Sequence, residues 1–275
     1  MKLDRRQKIV LWGGLTFLLL LWAVAVTPLC VTLGLSRAPI ATDVSSIESP
    51  PPKWDSFLGI EVPGGINVIP VVMTWAVMGL LILFSHRAGR NLRREPRRLQ
   101  LIAESFVGMF DQLCVDSMGK EIGRKFVPYV ATIFIFVLIS NWIGVIPGLQ
   151  EPTRDINTCF GLGLISFFVS HIAGIRYRGI KAYLREYFEP LGPLSPFLFV
   201  INVVGEIGKT LSHSLRLFGN VLGGAILVLV LGELTKQLPI LNTGLSIWFG
   251  LFVGLVQAYV FAMLAMTYIA VKVAD

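Results

Sequence analysis

The sequence predicts an all-α integral membrane protein with about six membrane helices. Of its 275 residues, 54% are hydrophobic and only 15% are charged, and the mean hydropathy is +0.71. Several apolar runs exceed the roughly 18 residues that mark a membrane-spanning helix. One of these runs carries an arginine, Arg216, in its interior. We also expect one amphipathic interfacial helix and two long, tilted helices at the C-terminus.

The first 65 residues are expected to form an N-terminal membrane anchor and an external loop, and residues 66–275 the main membrane domain. Four basic residues within the first eight precede an apolar run over residues 9–35. A cleaved signal peptide is the alternative. The length of the run, with Ala23-Val24-Ala25 inside it, favours an uncleaved anchor. The polar loop over residues 36–65 contains three consecutive prolines, which predict extended backbone.

Three spans follow, over residues 68–84, 126–146 and 159–175. Between the first two, apolar side chains recur at helical spacing over residues 99–118, and three acids interrupt them. Such an amphipathic pattern predicts a helix that lies at the cytoplasmic interface or packs on other helices, without spanning the membrane.

Two basic clusters set the predicted orientation. One covers residues 87–98 and the other residues 176–185, and each follows a span. Because Lys and Arg are enriched in cytoplasmic loops, both termini are expected in the cytoplasm and the loops 36–65 and 150–157 outside. The net charge of +7 therefore reflects the flanks of membrane spans and does not indicate nucleic-acid binding.

The last two segments, residues 194–234 and 238–273, are longer than a perpendicular span requires, so they must tilt, bend or extend beyond the hydrocarbon. The first carries Arg216 and the second carries Gln257. A guanidinium at the bilayer centre costs from about 3 to more than about 10 kcal/mol, and arginine cannot usefully lose its proton. The default interpretation of Arg216 is a site on an ion pathway.

One face of the Arg216 helix is expected to be polar. Residues three and four apart share a helix face, which gives a stripe of seven residues: Lys209, Ser212, His213, Arg216, Asn220, Gly223 and Gly224. No acid lies within one turn of Arg216, and Glu206, ten positions away, is roughly 15 Å distant along the helix. We therefore expect its counter-charge on another helix or another subunit.

The other polar candidates each have two interpretations. His213 either relays protons or makes a structural hydrogen bond. Glu206 and Lys209 either line a cytoplasmic ion path or form an interfacial pair. Asp155 and Asn157 either line an outer entrance or are simply solvated loop residues.

No motif for covalent or cofactor chemistry is evident in the sequence. It contains no phosphate-binding loop, no metal-ligand cluster and no nucleophile–base motif, so we expect no cofactor, no metal and no catalytic residue. The three cysteines are isolated and odd in number, which argues against a disulfide framework.

A family resemblance rests on the Arg216 helix. The run Lys209-Thr210-Leu211-Ser212-His213-Ser214-Leu215-Arg216-Leu217-Phe218-Gly219-Asn220 is similar to the signature helix of subunit a of F-type ATP synthases. Gln257-Ala258-Tyr259-Val260-Phe261, with Tyr268, resembles the last helix of that family. Asn141 with Pro147, and Asp155 with Asn157, resemble its middle helices. The likeness covers about residues 66–275, and the N-terminal anchor is less typical.

The resemblance implies a non-catalytic stator subunit in a bacterial-type inner membrane. In that family, subunit a flanks a rotating ring of c subunits, each with a carboxylate at mid-membrane. Arg216 would meet these carboxylates in turn, and Asn220 and Gln257 match positions that line the same interface. Two offset half-channels would carry H⁺ or Na⁺ to and from the ring. The implied partners are the c-subunit ring, b-type peripheral stalk subunits and the rest of the F1Fo complex.

Two positions depart from the proton-type pattern. Many such relatives have Glu nine positions after the arginine, where this chain has Ala225, and His or Glu where it has Gly250. Gly205-Glu206-Ile207 resembles sodium-translocating members, so both ions stay open. The rival function is a secondary transporter whose central arginine binds an anionic substrate. Internal repeats are expected in such folds, and we find no convincing repeat.

Overall fold

A computed structural model describes residues 53–57, 60–90, 98–146, 149–188, 195–234 and 239–274. Its helices, in chain order, are α1 (Val68–Arg90), α2 (Arg98–Met118), α3 (Lys120–Ile143), α4 (Ile156–Arg178), α5 (Ile180–Phe188), α6 (Ser195–Leu234), α7 (Pro239–Ile247) and α8 (Gly254–Val273). Five helical segments of the described part are long and apolar enough to cross a membrane. They match five of the six predicted spans. The sixth, the anchor over residues 9–35, lies outside the described residues.

An antiparallel hairpin precedes α1, in a region that the sequence assigned to a loop. Strand β1 (Lys53–Phe57) pairs with β2 (Ile60–Asn67), with Lys53 opposite Asn67. The prediction of a loop was wrong here. Proline and glycine are depleted in strands. Because β2 contains Pro63-Gly64-Gly65, its sequence did not predict a strand. The register shifts between Trp54 and Ser56, so the pairing is irregular.

The core of the protein lies where α8 packs against α3 and α4. Ala258, Ala262 and Ala265 on α8 are fully buried. Small residues of this kind allow membrane helices to approach closely. A Cβ atom on Gly254 of α8 would lie 3.0 Å from Cβ of Asn141 on α3. The closeness of these two helices fixes the position of α8, which carries Gln257.

The amphipathic helix α2 packs on α3 and is not among the five candidate spans, as predicted. An aromatic cluster holds the two helices together: the ring of Phe110 lies 4.9 Å from that of Phe106 and 5.2 Å from that of Phe134. Gly119, which joins the helices, has a φ of 80°. Glycine adopts this left-handed conformation at little cost.

The helix α5 was not predicted. It covers residues that the sequence assigned only to a basic cluster, and it begins after Gly179, whose φ is 81°. Its charged residues, such as Lys181 and Arg185, made the segment resemble a basic loop in the sequence. Between them, the side chain of Tyr183 is buried. The buried Tyr183 side chain therefore helps to anchor this short charged helix.

The two long C-terminal segments were predicted correctly. Helix α6 has 40 residues, or about 60 Å at the usual rise, against a hydrocarbon core of about 30 Å. The last segment is a single candidate span over residues 243–273, but it changes its winding. Between α7 and α8, residues Trp248–Val253 form a π-helix. Such helices are rare, and those that occur are often found at functional sites.

Candidate functional site

Arg216 lies on a face of α6 that is exposed in the isolated chain. Ser212, Leu215 and Asn220 are exposed with it, whereas Leu217 is fully buried. Among the residues that the structure describes, Arg216 forms no ion pair and no hydrogen bond. This agrees with the expectation that its counter-charge is not on its own helix. A cation on the outer face of a membrane helix requires a partner or a water path outside this chain.

The predicted polar stripe was wrong for two of its seven members. His213 is only 1% exposed, and Gly224 is buried with the Phe249 ring 3.2 Å from the position of its missing Cβ. Ser212 and His213 flank the Arg216 direction on opposite sides, about 100° apart, and the boundary between exposed and buried side chains runs between them. The structure turns Ser212 outward with Arg216, and it turns His213 inward.

His213 packs between aromatic rings of α8. Its ring centroid is 3.8 Å from that of Phe261 and 5.5 Å from that of Tyr268. Neither ring nitrogen has a hydrogen-bond partner in the described part of the chain. The expected structural hydrogen bond is therefore not seen there, and the proton-relay role stays a prediction.

Asn220 and Gln257 connect α6 to α8 one turn beyond Arg216. The side-chain amide of Asn220 donates a hydrogen bond to Oε1 of Gln257. Gln257 is only 4% exposed, whereas Asn220 is exposed beside Arg216. The pair thus couples the exposed Arg216 face to the buried seam between the two helices.

Glu206 is the centre of a charged cluster at the other end of α6. Its Oε1 lies 3.0 Å from Nζ of Lys209 and 3.0 Å from Nζ of Lys272 on α8; an ion pair between Glu206 and Lys209 was one of the two interpretations of these residues. Nζ of Lys272 also lies 5.4 Å from the ring centroid of Tyr183. The sequence interpretation missed Lys272, although it is the one charged residue of the segment 238–273.

Asp155 and Asn157 lie at the start of α4. The Asp155 carboxylate accepts a hydrogen bond from the backbone N–H of Asn157 at 2.8 Å and caps the helix, so its role is more than that of a solvated loop residue. Nearby, Thr153 donates a hydrogen bond to Oδ1 of Asn141 at 3.0 Å. Burial raises the pKa of the neighbouring Glu151, and Arg154 opposes the shift.

Close packing surrounds Gly250, one of the two positions that depart from the proton-type pattern. A Cβ atom on Gly250 would lie 2.1 Å from Cγ2 of Val145, so a side chain fits at this position only if Val145 moves. Gly250 belongs to the π-helical segment. Ala225 follows Gly224, which the Phe249 ring already covers.

Comparisons with known proteins agree with this arrangement. A family profile described as "ATP synthase A chain" matches residues 71–270. The chain is 37% identical over 212 residues to ATP synthase subunit a of Geotalea daltonii, which covers 77% of this chain and 89% of the relative. It is 40% identical over 200 residues to ATP synthase subunit a of Moorella thermoacetica, with 73% and 88% covered. ATP synthase subunit a 1 of Pelobacter propionicus is 40% identical over 199 residues, with 72% and 85% covered.

The chain belongs to the ATP synthase A chain family. It is a multi-pass membrane protein and an ion-translocating stator subunit of the Fo part of an F-type ATP synthase. Because the chain belongs to the ATP synthase A chain family, the alternative function of a secondary transporter is wrong. It also implies assembly in the Fo complex.

Proposed function

We propose that Arg216 is the fixed charge that successive carboxylates of a c-subunit ring pass, and that the exposed face of α6 is the surface against that ring. One observation carries the proposal. Arg216 lies on the outside of a membrane-spanning helix, and no described residue of its own chain forms an ion pair with it. A carboxylate on a neighbouring subunit supplies the missing charge.

The arginine acts through electrostatics alone. A nearby cation favours the charged form of a carboxylate, so an ion bound to the ring is released as its carboxylate reaches Arg216. Because arginine stays protonated, the same charge repels a free cation and blocks direct leakage between the two half-channels. Ions must then travel with the rotating ring.

The ends of α6 divide the proposed path. Glu206 and Lys209 border the cytoplasmic half-channel, and Ser212 lies between them and Arg216. Asn220 and Gln257 border the outer half-channel, whose entrance includes Asp155 and Asn157. A b-type peripheral stalk holds the subunit in place. This division follows the predicted orientation, in which the N-terminal end of α6 is cytoplasmic.

The proposal also specifies which cation is translocated. The larger part of the family translocates protons, but Ala225 and Gly250 leave the outer path without a titratable pair, and a side chain at Gly250 would have to displace Val145. Amide and hydroxyl oxygens can replace part of the hydration shell of a sodium ion, and small residues leave space for the rest. We therefore propose that the complex translocates sodium; a complex that does not respond to sodium translocates protons.

The ring-facing surface can be tested by cross-linking. Leu215→Cys places a thiol on the exposed face beside Arg216, and Leu80→Cys places one on the exposed face of α1. In the assembled complex, we expect Leu215→Cys to form an adduct with the ring subunit and Leu80→Cys to form none. The absence of any ring adduct from Leu215→Cys would contradict the proposed surface.

A further inference from the structure

Lys272 is a buried cation near the end of the last membrane helix. It is only 6% exposed and lies within the candidate span over residues 243–273. Lysine is almost never fully buried unless it is paired. An ionisable residue inside a membrane segment marks a functional site by default.

Four helices surround its ammonium group and backbone. Nζ lies 3.0 Å from Oε1 of Glu206 on α6 and 5.4 Å from the ring centroid of Tyr183 on α5. A Cβ atom on Gly174 of α4 would lie 2.9 Å from the Tyr183 ring and 3.1 Å from the carbonyl oxygen of Lys272. The site is therefore built into the packing of α4, α5, α6 and α8.

Two lysines share one oxygen of Glu206, but in different environments. Nζ of Lys209 also lies 3.0 Å from Oε1, yet its side chain is 51% exposed, whereas that of Lys272 is 7% exposed. An exposed pair one turn apart on a helix contributes little and exchanges with water. Lys209 is thus the labile partner and Lys272 the fixed one, and both contacts are made to Oε1.

We propose that Lys272 is a positioning residue of the ion path. Lys272 holds the Glu206 carboxylate at the seam between α6 and α8. When Lys209 leaves, the carboxylate therefore stays in place. Oε2 then receives a hydrated cation that moves between the cytoplasm and Arg216. The inference rests on the proposed function, because Glu206 acts on ions only if its end of α6 borders their path.

A double-mutant cycle in the assembled complex tests this role. We would measure ATP-driven ion transport in membrane vesicles per assembled complex for Lys272→Met, Glu206→Gln and the double variant. Each single change should lower transport at least about tenfold, because residues in one ion-pair network act together. Lys272→Arg, which keeps the charge, should retain about half of the activity or more.

The double variant distinguishes a role of Lys272 in positioning Glu206 for transport from a purely structural role of the ion pair. Removing one partner leaves a buried charge uncompensated, whereas removing both does not. Lys272→Met combined with Glu206→Gln should therefore assemble as well as the wild type, but it should transport no better than Glu206→Gln alone. If it transports like the wild type, the pair is only structural and the inference is overturned.

Lys125 offers a matched control. Its Nζ lies 5.2 Å from the ring centroid of Tyr177, much as that of Lys272 lies over Tyr183, but it forms no ion pair within the described residues. Lys125→Met should leave transport unchanged. An equal loss in Lys125→Met and Lys272→Met would overturn the inference, because both would then report a lost lysine–tyrosine contact.

Two further results would contradict the role of Lys272. The first is normal transport by Glu206→Gln alone. The second is a Lys272→Met change that lowers transport by the same factor in the wild type and in the Glu206→Gln variant. If Lys272→Met alone fails to assemble, Lys272→Arg and the double variant still decide. The proposed function fails separately, through a complex that still couples when Arg216 is replaced by alanine.

Discussion

Gly123 illustrates how single residues set the distances between helices. A Cβ atom at this position on α3 would lie 2.3 Å from the backbone oxygen of Cys114 on α2 and 2.9 Å from the nitrogen of Val115. These neighbours are backbone atoms, which cannot rotate away. The approach of α2 to α3 therefore depends on the missing side chain.

Gly123→Ala should destabilise the protein, because overpacking a close contact costs about 1–3 kcal/mol. Gly108→Ala, on α2, is the matched control: nothing lies within 4 Å of its missing Cβ, and alanine favours a helix by about 0.5–1 kcal/mol. Thermal unfolding of the purified complex should show a lower midpoint for Gly123→Ala only. Equal midpoints for both variants would contradict the close packing of α2 on α3.

Polar residues inside apolar segments stand out in a sequence, but not all of them were recognised. Arg216 stood out because its charge is costly in a membrane, and Gln257 stood out through its resemblance to a known helix. Lys272 was missed, since its partner Glu206 lies 66 positions earlier and only the fold brings the two together. His213 was assigned to the wrong face because a helical stripe has two candidate positions in each turn.

Whole helices were predicted from hydropathy, because a span must satisfy its backbone internally and present apolar side chains. The predicted span 126–146 begins earlier in the structure, at Lys120. Hydropathy could not find these first six residues, since they include Lys120, Glu121, Arg124 and Lys125. The hairpin, α5 and the π-helical segment were also missed, because each depends on packing or winding and not on an apolar run.

The orientation of these helices is a prediction at the same scale. Arg176→Cys lies in the last turn of α4, on the predicted cytoplasmic side, and Gln150→Cys precedes α4 on the predicted outer side; both positions are exposed. In a background without the natural cysteines, an impermeant thiol reagent added outside intact cells should label Gln150→Cys only. Labelling of Arg176→Cys under these conditions would reverse the orientation and exchange the two half-channels.

At the scale of the whole complex, the ion is the property that the sequence leaves most open. If sodium is translocated, millimolar sodium should stimulate ATP hydrolysis near neutral or alkaline pH and protect the ring carboxylate from carbodiimide. Both rates should be measured against sodium at fixed pH and ionic strength. A complex whose two rates ignore sodium translocates protons.

Ala225→Glu separates the two ions further. In a proton path, a carboxylate at this position adds one more titratable group and should be tolerated. In a sodium path, it binds the cation and should slow transport. Transport by this variant at wild-type rates, in a complex that responds to sodium, would contradict the proposed sodium path past Ala225.

Replacement of Arg216 tests the central claim most directly. Vesicles that contain the assembled complex with Arg216→Ala or Arg216→Lys should be assayed for ATP-driven ion transport, with the amount of complex as the control. We predict normal assembly and no coupled transport for either variant, because alanine has no charge and a buried lysine can lose its proton. An Arg216→Ala complex that still couples ATP hydrolysis to ion transport would contradict the account.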